Sequence, residues 1–445
     1  MKKRKALLSL VCAFVLFSSV LSGCEIGPHS IESLMRPPHA ADWQALEKAL
    51  TSILGSGYSL RVPQSGSYHS AVTLIDLNGD GQQEAIVFYS RSTDPVRLCV
   101  LRQSGDSWQK VNDFAGDGSG VYSLEFDDMN GDGLSEIFVG WFLFNDKSKK
   151  ELTVYSASTV DQKLSVSVCI TEPYDHYILT DVKNNGEKQL FVAFTDVSKS
   201  PIAASIRRFG LDASGRLYTA GSLPMDPRVV RIESLLFDLP QGDQHPRVFA
   251  DALLADNQMI TEVFLWDEDN KDYVSPFRKS ADDLNTATQR SGTLKCADID
   301  NDGLYEIPLR KRFIQSDADE VAMGYLLTWC GIEGQTLEPQ VFYAVNVAQD
   351  YRLFLPKEWN GEVFVRYTDA AHWSFVNKKN EALFSITVQD SASFKANNTN
   401  ATVLDDTSAP GSTYFCRVTE KGKAFGLTEE ALKSYFVYDA GGNIT

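Results

Sequence analysis

Cysteine is scarce in this 445-residue chain: seven residues, none spaced as CxxC. Two of them, Cys12 and Cys24, fall near the start, and the remaining five are an odd number. That leaves room for two disulfides at most and gives no thiol zinc or redox motif, so Cys99, Cys169, Cys296, Cys330 and Cys416 read as small apolar residues of strands. Histidine is nearly as rare. His29, His39, His69, His176, His245 and His372 form no HExxH pair and no zinc-like spacing. Excess positive charge is missing too: 42 basic residues against 59 acidic give a formal charge of −17, which excludes nucleic acid as a partner. The Gly116-Asp117-Gly118-Ser119-Gly120 run lacks both the GK[ST] ending of a phosphate loop and the GxSxG frame of a serine elbow, and reads as a turn before a strand.

Long apolar runs are absent beyond the first two dozen residues. There, Lys2, Lys3, Arg4 and Lys5 precede the apolar stretch Ala6 to Val20, and Leu21-Ser22-Gly23-Cys24 follows. The apolar stretch is shorter than the ~20 residues a membrane helix needs. The arrangement resembles a bacterial lipoprotein signal ending in a lipobox. The resemblance implies residues 1–23 as a signal peptide, a lipid-modified Cys24 at the new N-terminus, and a body tethered to the cell membrane on its extracytoplasmic side. Loss of the four basic residues would take the charge from −17 to −21.

What the chain has in quantity is one acidic loop, written three times. Asp76-Leu77-Asn78-Gly79-Asp80-Gly81, Asp128-Met129-Asn130-Gly131-Asp132-Gly133 and Asp298-Ile299-Asp300-Asn301-Asp302-Gly303 are closed by Glu84, Glu136 and Glu306. Oxygen donors at alternate positions around a glycine turn suit a hard cation, Ca2+ rather than Mg2+, because Ca2+ accepts six to eight oxygens and sheds water readily. The last carboxylate falls at the ninth position, not the twelfth as in an EF-hand. The flanks Val72-Thr73-Leu74-Ile75, Ala85-Ile86-Val87-Phe88-Tyr89 and Ile137-Phe138-Val139-Gly140-Trp141 are strand-like rather than helical.

Weaker copies follow Asp181, where Lys183 replaces the second ligand, and Asp238, where Pro240 and a shifted glycine intervene. The five markers Asp76, Asp128, Asp181, Asp238 and Asp298 lie 52, 53, 57 and 60 residues apart. Each interval holds further strand signals, such as Arg97-Leu98-Cys99-Val100-Leu101 and Ser107-Trp108-Gln109-Lys110-Val111. About four strands per repeat with no helical periodicity fits a propeller blade better than a solenoid coil.

These residues resemble the FG-GAP or VCBS-type repeats of α-integrin-like propellers, whose acidic loops bind Ca2+. The resemblance implies about three structural Ca2+ sites. Their side-chain ligands would be Asp76, Asn78, Asp80 and Glu84; Asp128, Asn130, Asp132 and Glu136; and Asp298, Asp300, Asp302 and Glu306. The carbonyls of Gln82, Leu134 and Leu304 would complete them. Five blades are recognisable, against the seven usual for integrin-type rings.

The expected architecture is therefore mainly β. Residues 24–65 form a tether with a short amphipathic helix around Trp43 to Leu50, residues 66–345 a β-propeller of about five four-stranded blades, with seven as the upper count, and residues 346–445 a small α+β domain. In that last unit Thr428 caps a helix and Asn397 to Gly411 reads as a loop.

With no nucleophile, base and orienting group in a recognisable frame, the sequence points to a calcium-stabilised, membrane-anchored binding or scaffold lipoprotein without catalytic activity, with a protein or glycan as ligand. The alternatives are a carbohydrate-active hydrolase or lyase on a propeller, and an envelope assembly factor. A glycosidase pair would need a general acid of raised pKa, whereas carboxylates around Ca2+ stay ionised.

Overall fold

The structure is a computed structural model that describes residues 40–439, apart from 93–94, 106, 117, 145, 147, 161–162, 213, 312–323 and 398–400. The basic head, the apolar stretch and Cys24 lie outside the described residues.

Five antiparallel sheets follow one another along the chain. The first is built on Val72–Ile75, Glu84–Arg91, Arg97–Ser104 and Ser107–Ala115, and the second on Gly118–Asp127, Glu136–Leu143, Lys150–Val160 and Lys163–Tyr174. His176–Asp181, Lys188–Asp196, Ala203–Leu211 and Leu217–Pro224 make the third. Val229–Asp238, Arg247–Leu254, Gln258–Asp267 and Asp272–Val274 make the fourth. In the fifth, Ile307–Lys311, Gly324–Glu333, Thr336–Asn346 and Tyr351–Leu355 pair in order. Each is a meander of propeller-blade type, as the spacing predicts. In the first, second and fourth sheets the strand after the loop is the most enclosed one, because neighbours cover both its faces.

The period-2 alternation of those strands shows how the sheets stack. In the first sheet Ala85, Val87 and Tyr89 pack against the N-terminal helix, whereas Ile86 and Phe88 face the second sheet. Ile137, Val139 and Trp141 return that contact, while Phe138 faces the third sheet beside Leu190 and Val192. Phe191 and Ala193 then meet Val248 and Ala250 of the fourth sheet, and Phe249 meets Ile307 of the fifth. The sheets therefore lie face to face in chain order, each pair sharing a core. Among the described residues no such core joins the first sheet to the fifth.

The helix, Ala40–Leu54, is longer than the expected Trp43 to Leu50. Leu46, Leu50 and Leu54, spaced by four, are buried against Val87, Tyr89, Cys99 and Trp108, so the helix covers the free face of the first sheet. The stretch read as tether also enters the sheets. Tyr58–Leu60 pairs with Glu84–Arg91, and Ser65–Gly66 makes a parallel bridge to Gly118–Asp127.

Gly118, Ser119 and Gly120 of the glycine-rich run begin that strand rather than preceding it. A Cβ on Gly118 would lie only 1.8 Å from the carbonyl oxygen of Phe142, so the close backbone approach requires glycine there.

At the C-terminal end, Val363–Asp369, His372–Asn377, Ala382–Asp390, Ser412–Val418 and Thr402–Asp405 form a sixth sheet, with helices at Ser391–Asn397, Glu420–Ala424 and Glu429–Tyr435. Thr428 caps the last helix as expected, its hydroxyl accepting the N–H of Ala431 at 3.1 Å. Thr402–Asp405 corrects the loop expected over 397–411: its β-branched residues pair with Ser412–Val418 and Leu404 is buried. Pairing does not stop at residue 346. Tyr351–Leu355 bonds to Thr336–Asn346 on one side and to the final strand, Phe436–Tyr438, on the other. All five cysteines of the described chain are free, and four are buried.

Candidate metal loops

The first two acidic loops join the first strand of their sheet to the second, the third runs from the isolated Ala297–Glu306 bridge into Ile307–Lys311, and one hydrogen-bond scaffold shapes all three. The first aspartate accepts the N–H of the fifth residue on Oδ1 and of the sixth on Oδ2. These distances are 3.2 and 2.8 Å for Asp76, 3.2 and 2.8 Å for Asp128, and 3.1 and 3.0 Å for Asp298. The fifth-position Asp80, Asp132 and Asp302 each accept the N–H of residue seven, namely Gln82, Leu134 and Leu304, at 2.8 Å. Wrapping the chain this tightly needs positive φ at the sixth position, where Gly81, Gly133 and Gly303 stand at 83°, 83° and 88°.

The ninth-position glutamates are wholly enclosed. Glu84, Glu136 and Glu306 each accept the N–H of the loop's second residue on Oε2 at 3.0 Å. In the first loop Oε1 of Glu84 is buried without a hydrogen-bond partner, and in the second Oε1 of Glu136 takes the Ser156 hydroxyl at 3.0 Å. Burial, reinforced by the nearby aspartates, pushes all three carboxyls up from 4.5 to about 7. A divalent cation would reverse that preference by stabilising the ionised form.

In the last loop, Asp298, Asp300 and Glu306 bring one carboxylate oxygen each to within 4.8 Å of one another. The first two loops carry asparagine at the third position, and Asn78 and Asn130 donate their amide N–H groups to Asp80 and Asp132 at 3.1 and 3.0 Å. Arg102, which the sequence reading did not single out, reaches Asp80 at 2.9 Å from the neighbouring strand. The donor set, carboxylate and amide oxygens with an orphaned buried Oε1, fits a hard cation such as Ca2+.

The two decayed copies are built differently. Asp181 keeps the loop scaffold, accepting the N–H groups of Asn185 and Gly186 at 3.2 and 2.7 Å, but the ninth residue is Gln189, whose Oε1 takes an N–H from buried Arg208 at 3.3 Å. In the fourth loop Arg247 clasps Asp238 through Nε and Nη2 at 2.7 and 2.6 Å, and the N–H of Tyr305 donates to the same carboxylate at 2.8 Å. A buried guanidinium thus stands where the other loops gather oxygens around a gap. Its sequence signal was an arginine at the start of the strand, which only the fold aims back at Asp238.

Neighbouring loops touch in a repeating way. Ser135 donates its N–H to the Leu77 carbonyl at 2.8 Å, and Lys188 to that of Met129 at 2.7 Å. At the equivalent place His245 bonds the Val182 carbonyl through Nδ1. The five loops therefore run in a row along one end of the stack.

A family model described as FG-GAP-like repeat matches residues 76–139, which span the first two loops. Among curated proteins none matches the chain. Similar solved structures include a periplasmic gluconolactonase of Pseudomonas aeruginosa, at 12% identity over 64% of this chain and 75% of that one, TM-score 0.33. A levansucrase mutant of B. megaterium matches at 11% over 70% and 95%, TM-score 0.24. Sqt1 of Chaetomium thermophilum matches at 8% over 74% and 82%, TM-score 0.31. At this level the likenesses carry no argument about activity.

Proposed function

We propose that the protein is a lipid-anchored, extracytoplasmic binding or scaffold protein, without catalytic activity, whose stacked sheets are held by about three Ca2+ ions. The observation that carries the calcium reading is the enclosed ninth-position glutamate. Three carboxyls buried beside two or three aspartates are costly to ionise without a cation, yet their spacing is repeated three times. Asp76, Asn78, Asp80 and Glu84, with their counterparts at 128–136 and 298–306, would hold the ions, and each ion would tie together the two chain segments that flank its loop.

The non-catalytic reading draws support from the reactive side chains. Burial pushes the thiols of Cys99 and Cys416 up to about 12 and that of Cys330 to about 11, far from nucleophilic. His372 is engaged by Asp369 at 2.8 Å on the surface, and His245 by a carbonyl. The anchor rests on the Lys2 to Cys24 pattern.

Calorimetry on the metal-stripped protein tests the calcium reading. Millimolar Ca2+ is expected to raise Tm over the EDTA-treated sample, and the triple variant Asp80→Ala, Asp132→Ala, Asp302→Ala to lose that rise and the bound metal. Identical melting curves with EDTA and Ca2+ would sink the reading.

A further inference from the structure

We propose that the cavity beside the fourth loop binds a neutral carbohydrate, which gives a ligand class to the binding role proposed above and rests on it. The cavity, about 590 Å3, opens between the fourth loop, the end of Gln258–Asp267 and the turn after Gly324–Glu333. Such a volume suits a small organic ligand. It exists because this loop has lost its ligands. Where the complete loops carry oxygen donors at positions three and five, this one has Pro240 and Gly242, and Asp238 is drawn onto Arg247.

Its walls differ in chemistry. One is apolar, made by Pro240, Leu265, Trp266, Leu304 and Ile332, and the other is polar, made by Asp243, Gln244, His245 and Glu268. The polar wall is pre-set. His245 stacks on Trp266 with ring centroids 4.5 Å apart, and its Nε2 lies 3.2 Å from Oε1 of Glu268, so both ring nitrogens are engaged. Trp266 in turn meets Tyr273 edge-on at 5.5 Å. On the floor, Arg247 commits one N–H each from Nε, Nη1 and Nη2 to Asp238 and to the Ile332 carbonyl, leaving two of a guanidinium's five for a ligand.

Charge decides the class. Arg247 is balanced by Asp238, and Glu268 by Lys271 at 2.5 Å, so of the lining charges Asp243 alone has no ion-pair partner among the described residues. An anion would meet Asp243 with no uncommitted cation among the described lining residues to receive it, and a cation would find one carboxylate, Asp243, where a charged ligand needs several. An uncharged ring whose hydroxyls donate and accept along one edge, with C–H groups on its face, matches a polar wall opposed to an apolar one.

Native electrophoresis of the protein in Ca2+, through gels containing dextran, a mixed-linkage β-glucan, a xylan or a galactomannan, tests this. Retardation by at least one polymer is expected, with apparent affinity about tenfold weaker in Gln244→Ala and Asp243→Ala, each replacing an exposed side chain, and unchanged in the distant Lys199→Ala. Unchanged mobility in all four gels overturns the inference, as does equal retardation of Gln244→Ala and wild type. A calcium-dependent Tm with no retardation sinks this inference and leaves the calcium scaffold standing; retardation with no calcium effect does the reverse.

Discussion

Single side chains decide where charge is tolerated inside this protein. Asp238 and Asp251 show the structural solution, a buried arginine placed on each: Arg247 for the first, Arg290 at 2.9 Å for the second. Removing one partner of such a pair leaves an uncompensated buried charge. The ninth-position glutamates of the complete loops have no such partner, apart from Arg102 at 3.9 Å from Glu84. His176 is held below its usual 6.5, first by burial and then by Lys150. A depressed histidine favours its neutral form in the fold, so this contribution is complete above pH 6.5 and is lost as the pH falls below it. Urea stability of the wild type should therefore drop between pH 7.5 and 5.5 more than that of His176→Gln; parallel curves would refute it. The ninth-position glutamates were legible from spacing, because a loop ligand is set by local register. Arg247, Arg102 and His245 were not, because each acts across strands or across sheets.

At the scale of the element, helix and loop follow local rules that the sequence carries openly. Leu46, Leu50 and Leu54 make one apolar stripe, and the first sheet offers Val87, Tyr89 and Trp108 to it. Leu50→Ala should destabilise the protein by about 2–5 kcal/mol in urea titration, the range for a buried leucine, whereas a loss under about 1 kcal/mol would mean that the helix does not hold its sheet. The strands after the loops were readable for the same reason: alternate residues of Glu84–Arg91 serve two different cores, which demands the unbroken apolar run Ala85 to Tyr89. Short pieces escaped. Thr402–Asp405 sits in a stretch rich in polar turn formers, and Ser65–Gly66 is a strand only because Gly118–Asp127 lies beside it.

Across the whole molecule, the sheets form a series in which every member is covered on both faces. The helix closes one end, and the sixth sheet lies against the fifth. Phe342, Ala344, Tyr351 and Leu353 of the fifth share one core with Trp373, Phe375, Phe384 and Ile386 of the sixth, and the last strand returns to pair with Tyr351–Leu355. A chain ending at residue 345 should therefore aggregate or melt without cooperativity, because it bares both that core and an unpaired strand edge. A soluble monomer of residues 40–345 with a sharp thermal transition would refute this.

Taken alone, the sequence determined the acidic loop and the mainly β character, since each depends on residues within ten positions of one another, and the recurrence of that loop every 52 to 60 residues determined the repeating unit. Three matters were decided only by tertiary structure: what takes the place of the missing ligands in the decayed loops, where the C-terminal strands pair, and where a cavity opens. Asp238 stands at a ligand position until Arg247 is seen on it, and only the fold brings His245 against the ring of Trp266. Those outcomes depend on which strand faces which, and sheets stacked in chain order bring together side chains that their separation along the chain cannot pair.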